Sequence, residues 1–184
     1  QQYNLTDLMS FRIISQPAVF MRRSILEQAG PLDASYHMLL DHHLWLRMAR
    51  LAPIIYIPET LAAARYHAEA KNLAHTPEFG REALRLANWL PTNPDFAAQF
   101  SQNRNRILGG ANRLNAFYLL DGGFYGPALK AYARAFRYNP PIVLREFHRV
   151  LYALFAPLGA KHLRPMFTKF RATIKSNFRN RKST

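Results

Sequence analysis

The residues best suited to chemistry fall in three short clusters. In DHHLWLR, residues 41–47, Asp41, His42 and His43 stand together, with Trp45 and Arg47 following within about one helical turn. In RYHAEAKN, residues 65–72, Arg65, His67 and Lys71 follow an extended-looking run. Ser15-Gln16-Pro17-Ala18 is a polar interruption between two apolar runs, and its proline confines any strand there to its start or to an edge. A carboxylate such as Asp41 can take a proton from a hydroxyl, but Asp is also a favoured helix N-cap, and seven residues alone leave both open. His42 and His43 are adjacent, so on a helix they diverge by about 100° and cannot clasp one ion as an i, i+4 pair does. Trp45 reads as core, and Arg47 suits a carboxylate, a phosphate or solvent. His67 could ligate a metal or touch a phosphate, and Lys71 could contact phosphate, although a histidine between tyrosine and alanine is more often structural.

The elements that must position these clusters change character near residue 72. Before it, short β-type runs, RIIS (12–15), PAVFM (17–21) and PIIYIP (53–58), alternate with helical patterns at 22–29 and 40–51. The first helix is closed by Gly30 and Pro31, the second by Pro53. Residues 61–67 read as a further extended segment. Strands interleaved with helices at this spacing predict an α/β unit. After residue 72 the strand signals vanish, and helices are predicted over 78–90, 96–120, 125–138 and 141–156. Two regions are therefore expected, 1–72 as α/β and 73–184 as an all-α extension with a basic amphipathic tail. The series Gly123, Tyr125, Ala128, Tyr132, Ala135, Pro140 resembles the second helix of a tetratricopeptide repeat. Only one copy is present, so it reads as a helical hairpin rather than an array.

Composition narrows the classes. The 184 residues are 49% hydrophobic, enough for a core, and contain no cysteine, which excludes disulfides, zinc ribbons and thiol catalysis. The net charge is +14, and residues 161–184 hold eight Lys or Arg and no acid, a tail suited to anions. VLYALFAPLGA (150–160) is too short to span a bilayer and is broken by Pro157 and Gly159. No charged, then apolar, leader follows Gln1, so the chain is expected to lack a signal peptide and to be cut from a longer protein. Phe155, Leu158, Leu163, Met166, Phe167 and Phe170 interleave with Lys161, Arg164, Lys169 and Arg171. That pattern suits a helix lying on an anionic membrane, or one packed on its own domain.

Residues 15–72, SQPAVFMRRSILEQAGPLDASYHMLLDHHLWLRMARLAPIIYIPETLAAARYHAEAKN, resemble the C-terminal half of the catalytic domain of family 2 glycosyltransferases, which have the GT-A fold. The similarity lies in ordered elements: Gln16-Pro17 to Arg22-Arg23, the Gly30-x-Leu32-Asp33 turn, Asp41 opening a helix with Leu44-Trp45-Leu46-Arg47, the IIYIPETL run, and Arg65-x-His67 with Lys71. The resemblance implies a Rossmann-like α/β half-domain that moves a sugar from a nucleotide-diphosphate donor to a glycan, lipid-linked or small-molecule acceptor. It implies Asp41 as general base, Gln16 and Trp45 by the acceptor, and Arg65 and Lys71 by the donor diphosphate. His67 would then be a ligand of Mg²⁺ or Mn²⁺. It also implies envelope polysaccharide biosynthesis on the cytoplasmic side of a bacterial membrane, as a soluble or peripheral protein.

Departures are plain. Leu40 and His43 stand where the family commonly has acids, the Gln-x-x-Arg-Trp motif of processive synthases is absent, and no Asp-x-Asp occurs. With the nucleotide-binding half expected upstream, these 184 residues alone are expected to be inactive. The alternative is a non-enzymatic basic helical module for nucleic acid, an anionic membrane or an acidic protein, with nucleic acid the less expected partner. A zinc hydrolase lacks a third ligand at suitable spacing from His42 or His43.

Overall fold

The computed structural model describes residues 3–14, 16–63 and 76–158. Among them run eight α-helices: α1 (Leu5–Met9), α2 (Arg23–Ala29), α3 (Leu40–Leu51), α4 (Thr76–Trp89), α5 (Pro94–Asp121), α6 (Tyr125–Tyr138), α7 (Pro140–Leu144) and α8 (Phe147–Phe155). Short 3₁₀ turns occupy Gln16–Ala18, Leu90–Thr92 and Ala156–Leu158.

No strand or sheet forms among the described residues, and this overturns the expected α/β fold. Residues 12–14 are irregular, 16–18 are a 3₁₀ turn, and 53–63 run irregularly without a ladder. The described part of residues 15–72 is therefore not the half of a GT-A domain that its residue order resembles. The physical reason is that a strand is not a local object. Ile-Ile-Tyr-Ile has strong β propensity, but its N–H and C=O groups need a neighbouring strand to pair with. Among the described residues none is supplied. Ile54 packs against the core, whereas Ile55, Tyr56 and Ile57 are left exposed.

The helical expectations fare differently. Helix α2 starts one residue later than predicted, α3 and α6 match, and α4 and α5 start two residues early. Asn93 caps α5 by accepting from the Asp95 N–H at 3.0 Å, and Pro94 occupies the first turn, where its missing N–H costs nothing. The predicted helix over 141–156 is split at Arg145-Glu146 into α7 and α8. The one-turn helix α1 has no counterpart among the predicted elements; Asn4 and Asp7 close it with reciprocal side-chain to backbone bonds, a capping box.

Helix α5 joins two cores. It is kinked at Asn103, whose backbone leaves helical values (φ −120°, ψ 18°). Its middle carries Ile107, Ala111 and Leu114 into a first core with Leu8, Met9, Phe11, Leu46, Leu86 and Leu90. Its end carries Ala116 and Leu120 into a second core with Ala128, Ala131, Tyr132, Ala135, Val143 and Ala153. Two adjacent glycines stand at the join. A Cβ on Gly110 would collide with the backbone carbonyl of Ser10 beyond α1, and one on Gly109 would lie 2.6 Å from the Asn139 Cβ at the end of α6. One glycine lets the first region approach α5, and the other admits the second.

Candidate functional site

Asp41 is the second residue of α3, whose N-cap is Leu39 and has no capping side chain of its own. Two carboxylates share the entry to the helix. The Glu82 carboxylate on α4 accepts three consecutive backbone N–H groups, His37 at 2.7 Å and Met38 and Leu39 at 2.8 Å. The backbone leading into α3 is thus held by a residue more than forty positions away, while the first-turn donor of His42 goes to Asp41. Asp41 is left partly buried, with one Oδ1 accepting the N–H of His42 at 2.7 Å. No cation pairs with it among the described residues. Burial, outweighing the backbone N–H groups of His42 and Asp41, pushes its carboxyl above the ordinary value of 3.8.

The loop before α3 is pinned at several points. Gly30 closes α2 with φ 78°, a left-handed value that suits glycine. The Arg47 guanidinium reaches back to donate to the carbonyls of Ala29 and, at 2.6 Å, Pro31. Arg47 is therefore a C-terminal cap for α2, not a carboxylate or phosphate contact. Asp33 accepts the Ser35 N–H at 2.9 Å, and this bond holds its carboxyl below the usual range. Arg85 donates to the Ser35 carbonyl at 2.8 Å and stacks over the Tyr36 ring. Between α2 and α3 lies an open groove of about 520 Å³, lined by Met21, Leu26, Glu27, Gly30, Pro31, Leu32 and Leu44. It is almost wholly apolar, and Asp41 precedes Leu44 by one helical turn on the same face of α3.

The histidines point inward. His42 is fully buried, with Nε2 3.0 Å from the Leu8 carbonyl, an acceptor, so Nε2 carries the proton. Its ring stacks on Phe11. Burial drives its pKa from 6.5 to about 4, which keeps it neutral at neutral pH. His43 lies between the Tyr36 and Trp89 rings, and neither of its ring nitrogens has a hydrogen-bond partner among the described residues. Burial, and then the Arg47 charge, lower its pKa as well.

Of the residues expected at a site and described, Asp41 alone keeps a partly exposed ionisable group, and it is not among the residues that line the groove. Trp45 is buried in the first core and does not offer its ring to an acceptor. Gln16 is exposed on its 3₁₀ turn and forms no hydrogen bond to Asp41. Arg65, His67 and Lys71 lie outside the described residues. Among the described residues no group of three or more His, Asp or Glu side chains could hold a metal ion, so the expected Mg²⁺ or Mn²⁺ has no fitted site there. Glu82 and Arg85 carry no mark in the sequence because nothing local singles them out; their partners are loop backbone groups across the fold. No protein-family model, no curated protein and no solved structure matches the chain.

Proposed function

We propose that this chain supplies a general base, Asp41, to a reaction in which a hydroxyl acceptor attacks the sugar of a nucleotide-diphosphate donor. The observation that carries the base is the state of its carboxylate. Asp41 is partly buried, no cation pairs with it among the described residues, and burial raises its proton affinity although its Oδ1 already accepts the His42 N–H. A carboxylate of that kind accepts a hydroxyl proton more readily than a solvated one. Sugar as the reactant is supported by the order of residues in 15–72 alone, because no α/β frame stands behind it among the described residues. The groove beside α3 would take the apolar face of an acceptor. In the full native protein, Asp41→Asn is expected to lower transfer by about 10²–10⁴-fold with donor binding unchanged. Turnover within about threefold of wild type removes Asp41 from the role. No transfer by the wild-type protein from any nucleotide-sugar tested overturns the sugar reading itself.

The second reading, a non-enzymatic basic module, is favoured by where the charge lies. Residues 1–121 hold 12 Lys or Arg and 10 acids, whereas residues 122–184 hold 13 and one. Nearly all of the net charge belongs to the second region and the residues beyond it.

A further inference from the structure

The outer face of α7 and α8 carries an apolar stripe that the second core does not use. Leu144, Phe147, Leu151, Leu154 and Phe155 are between 37% and 60% exposed. Phe147, Leu151, Leu154 and Phe155, three and four residues apart, share one face of α8, and Leu144 is exposed at the end of α7 just before the break. Val143, Ala153 and Ala156 are buried, so the stripe is mounted on a packed element. A soluble surface tolerates single exposed apolar residues, but four on one helical face mark a contact surface.

Its electrostatic setting identifies the contact. On α6, Lys130, Arg134 and Arg137 recur at helical spacing and are exposed. The acid of residues 122–184, Glu146, is paired with Arg113 and accepts from Tyr132, so it does not offset them. Residues 161–184 then add eight Lys or Arg and no acid. Among the described residues no helix is long and apolar enough to cross a membrane. We propose that the α7–α8 face docks on the surface of an anionic phospholipid bilayer. Leu144, Phe147, Leu151, Leu154 and Phe155 enter the boundary between headgroups and acyl chains, and the excess cations of residues 122–184 meet the lipid phosphates. Nucleic acid would use the charge but has no place for an aliphatic and aromatic row of this kind. The inference does not depend on the role given to Asp41.

The test is co-sedimentation of the full chain with vesicles of phosphatidylcholine, with and without a third of phosphatidylglycerol. Binding is expected to rise at least about tenfold with the anionic lipid and to fall with salt. Leu154→Ser/Phe155→Ser, and separately Leu144→Ser/Phe147→Ser, are each expected to weaken binding at least about tenfold. Because these side chains are exposed, the melting temperature of both variants should match wild type. Equal binding to both vesicle types, or variants that bind as wild type does, overturns the proposal. So does a marked fall in melting temperature in both variants without vesicle binding by wild type, since the chain itself would then cover the stripe. A wild-type dimer that both variants dissociate, or tight RNA binding that both retain, with no vesicle binding in either case, also overturns it.

Discussion

The two regions that α5 joins are held together by different means. In the first, long-range polar bonds fasten irregular backbone: Glu82 to residues 37–39, Arg85 to Ser35, Arg47 to the turn after α2. Its core is built of large side chains, Leu, Phe, Tyr and Trp. In the second, regular helices meet through alanines, and a side-chain network closes the seam. Arg149 donates to Asp121 at 2.7 Å, to the Phe117 carbonyl and to Tyr132, whose hydroxyl donates to Glu146 at 3.2 Å. Backbone that is already paired within helices needs side chains only to set how helices sit, whereas loop backbone must have its own N–H and C=O groups satisfied from outside. The first arrangement can hold a reactive group such as Asp41 at a fixed place. The second presents a surface.

The comparison can be broken most severely at the join. Gly110→Ala pushes a methyl into the Ser10 backbone, which cannot yield as a flexible side chain would, and should cost about 3 kcal/mol or more despite the better helix propensity of alanine. Gly109→Ala meets Asn139 instead and should cost about 1–3 kcal/mol. Urea melts followed by tryptophan fluorescence report the first region, since Trp45 and Trp89 both belong to it. Equal effects of the two substitutions on that signal would show that the regions unfold as one.

Acid should separate the regions next. His42 has a folded pKa of about 4, below its unfolded 6.5, so its contribution is complete above pH 6.5 and is lost as pH falls towards 4. The loss is on the order of 3 kcal/mol, and His43 adds to it in the same direction. His42→Gln, which keeps an N–H for the Leu8 carbonyl, should flatten the stability profile between those limits; an unchanged profile would assign the acid sensitivity elsewhere.

Smaller effects sharpen the contrast. Glu82→Ala leaves three backbone N–H groups without their carboxylate and should cost about 2–3 kcal/mol, read by hydrogen exchange at residues 37–39. Exchange there no faster than in wild type would show that water replaces the carboxylate without penalty. Tyr132→Phe removes one hydroxyl from the helix network and should cost about 1–2 kcal/mol, confined to α6 and α8. An equal loss in the first region would show the two networks to be coupled.

Legibility divides along the same line. The ends of α3 and α6 can be read from the chain because a helix pairs its own backbone, so hydrophobic period, prolines and glycines suffice. The strands expected at 12–15, 17–21 and 53–58 do not form among the described residues because their signal describes a propensity, while a ladder requires a second strand. The break at Arg145-Glu146 is invisible in the chain for a related reason: Glu146 meets Arg113 and Tyr132, partners on two other helices. Around Asp41 the sequence offers two roles; its Oδ1 takes up the His42 N–H in the first turn of α3, and only the tertiary structure brings Glu82 to hold the backbone of residues 37–39 just before it.

The sequence by itself determined the helix over 125–138, the absence of cysteine chemistry and the concentration of positive charge after residue 121. Each of these depends on neighbours along the chain or on composition alone. Only the tertiary structure decided that the described residues hold no sheet, that both histidines of DHHLWLR turn inward, that Arg47 caps α2, and that α7 and α8 leave an apolar row outside. Each of those depends on which distant group arrives to satisfy a backbone N–H, fill a cavity or leave a face uncovered, and local pattern carries no record of that.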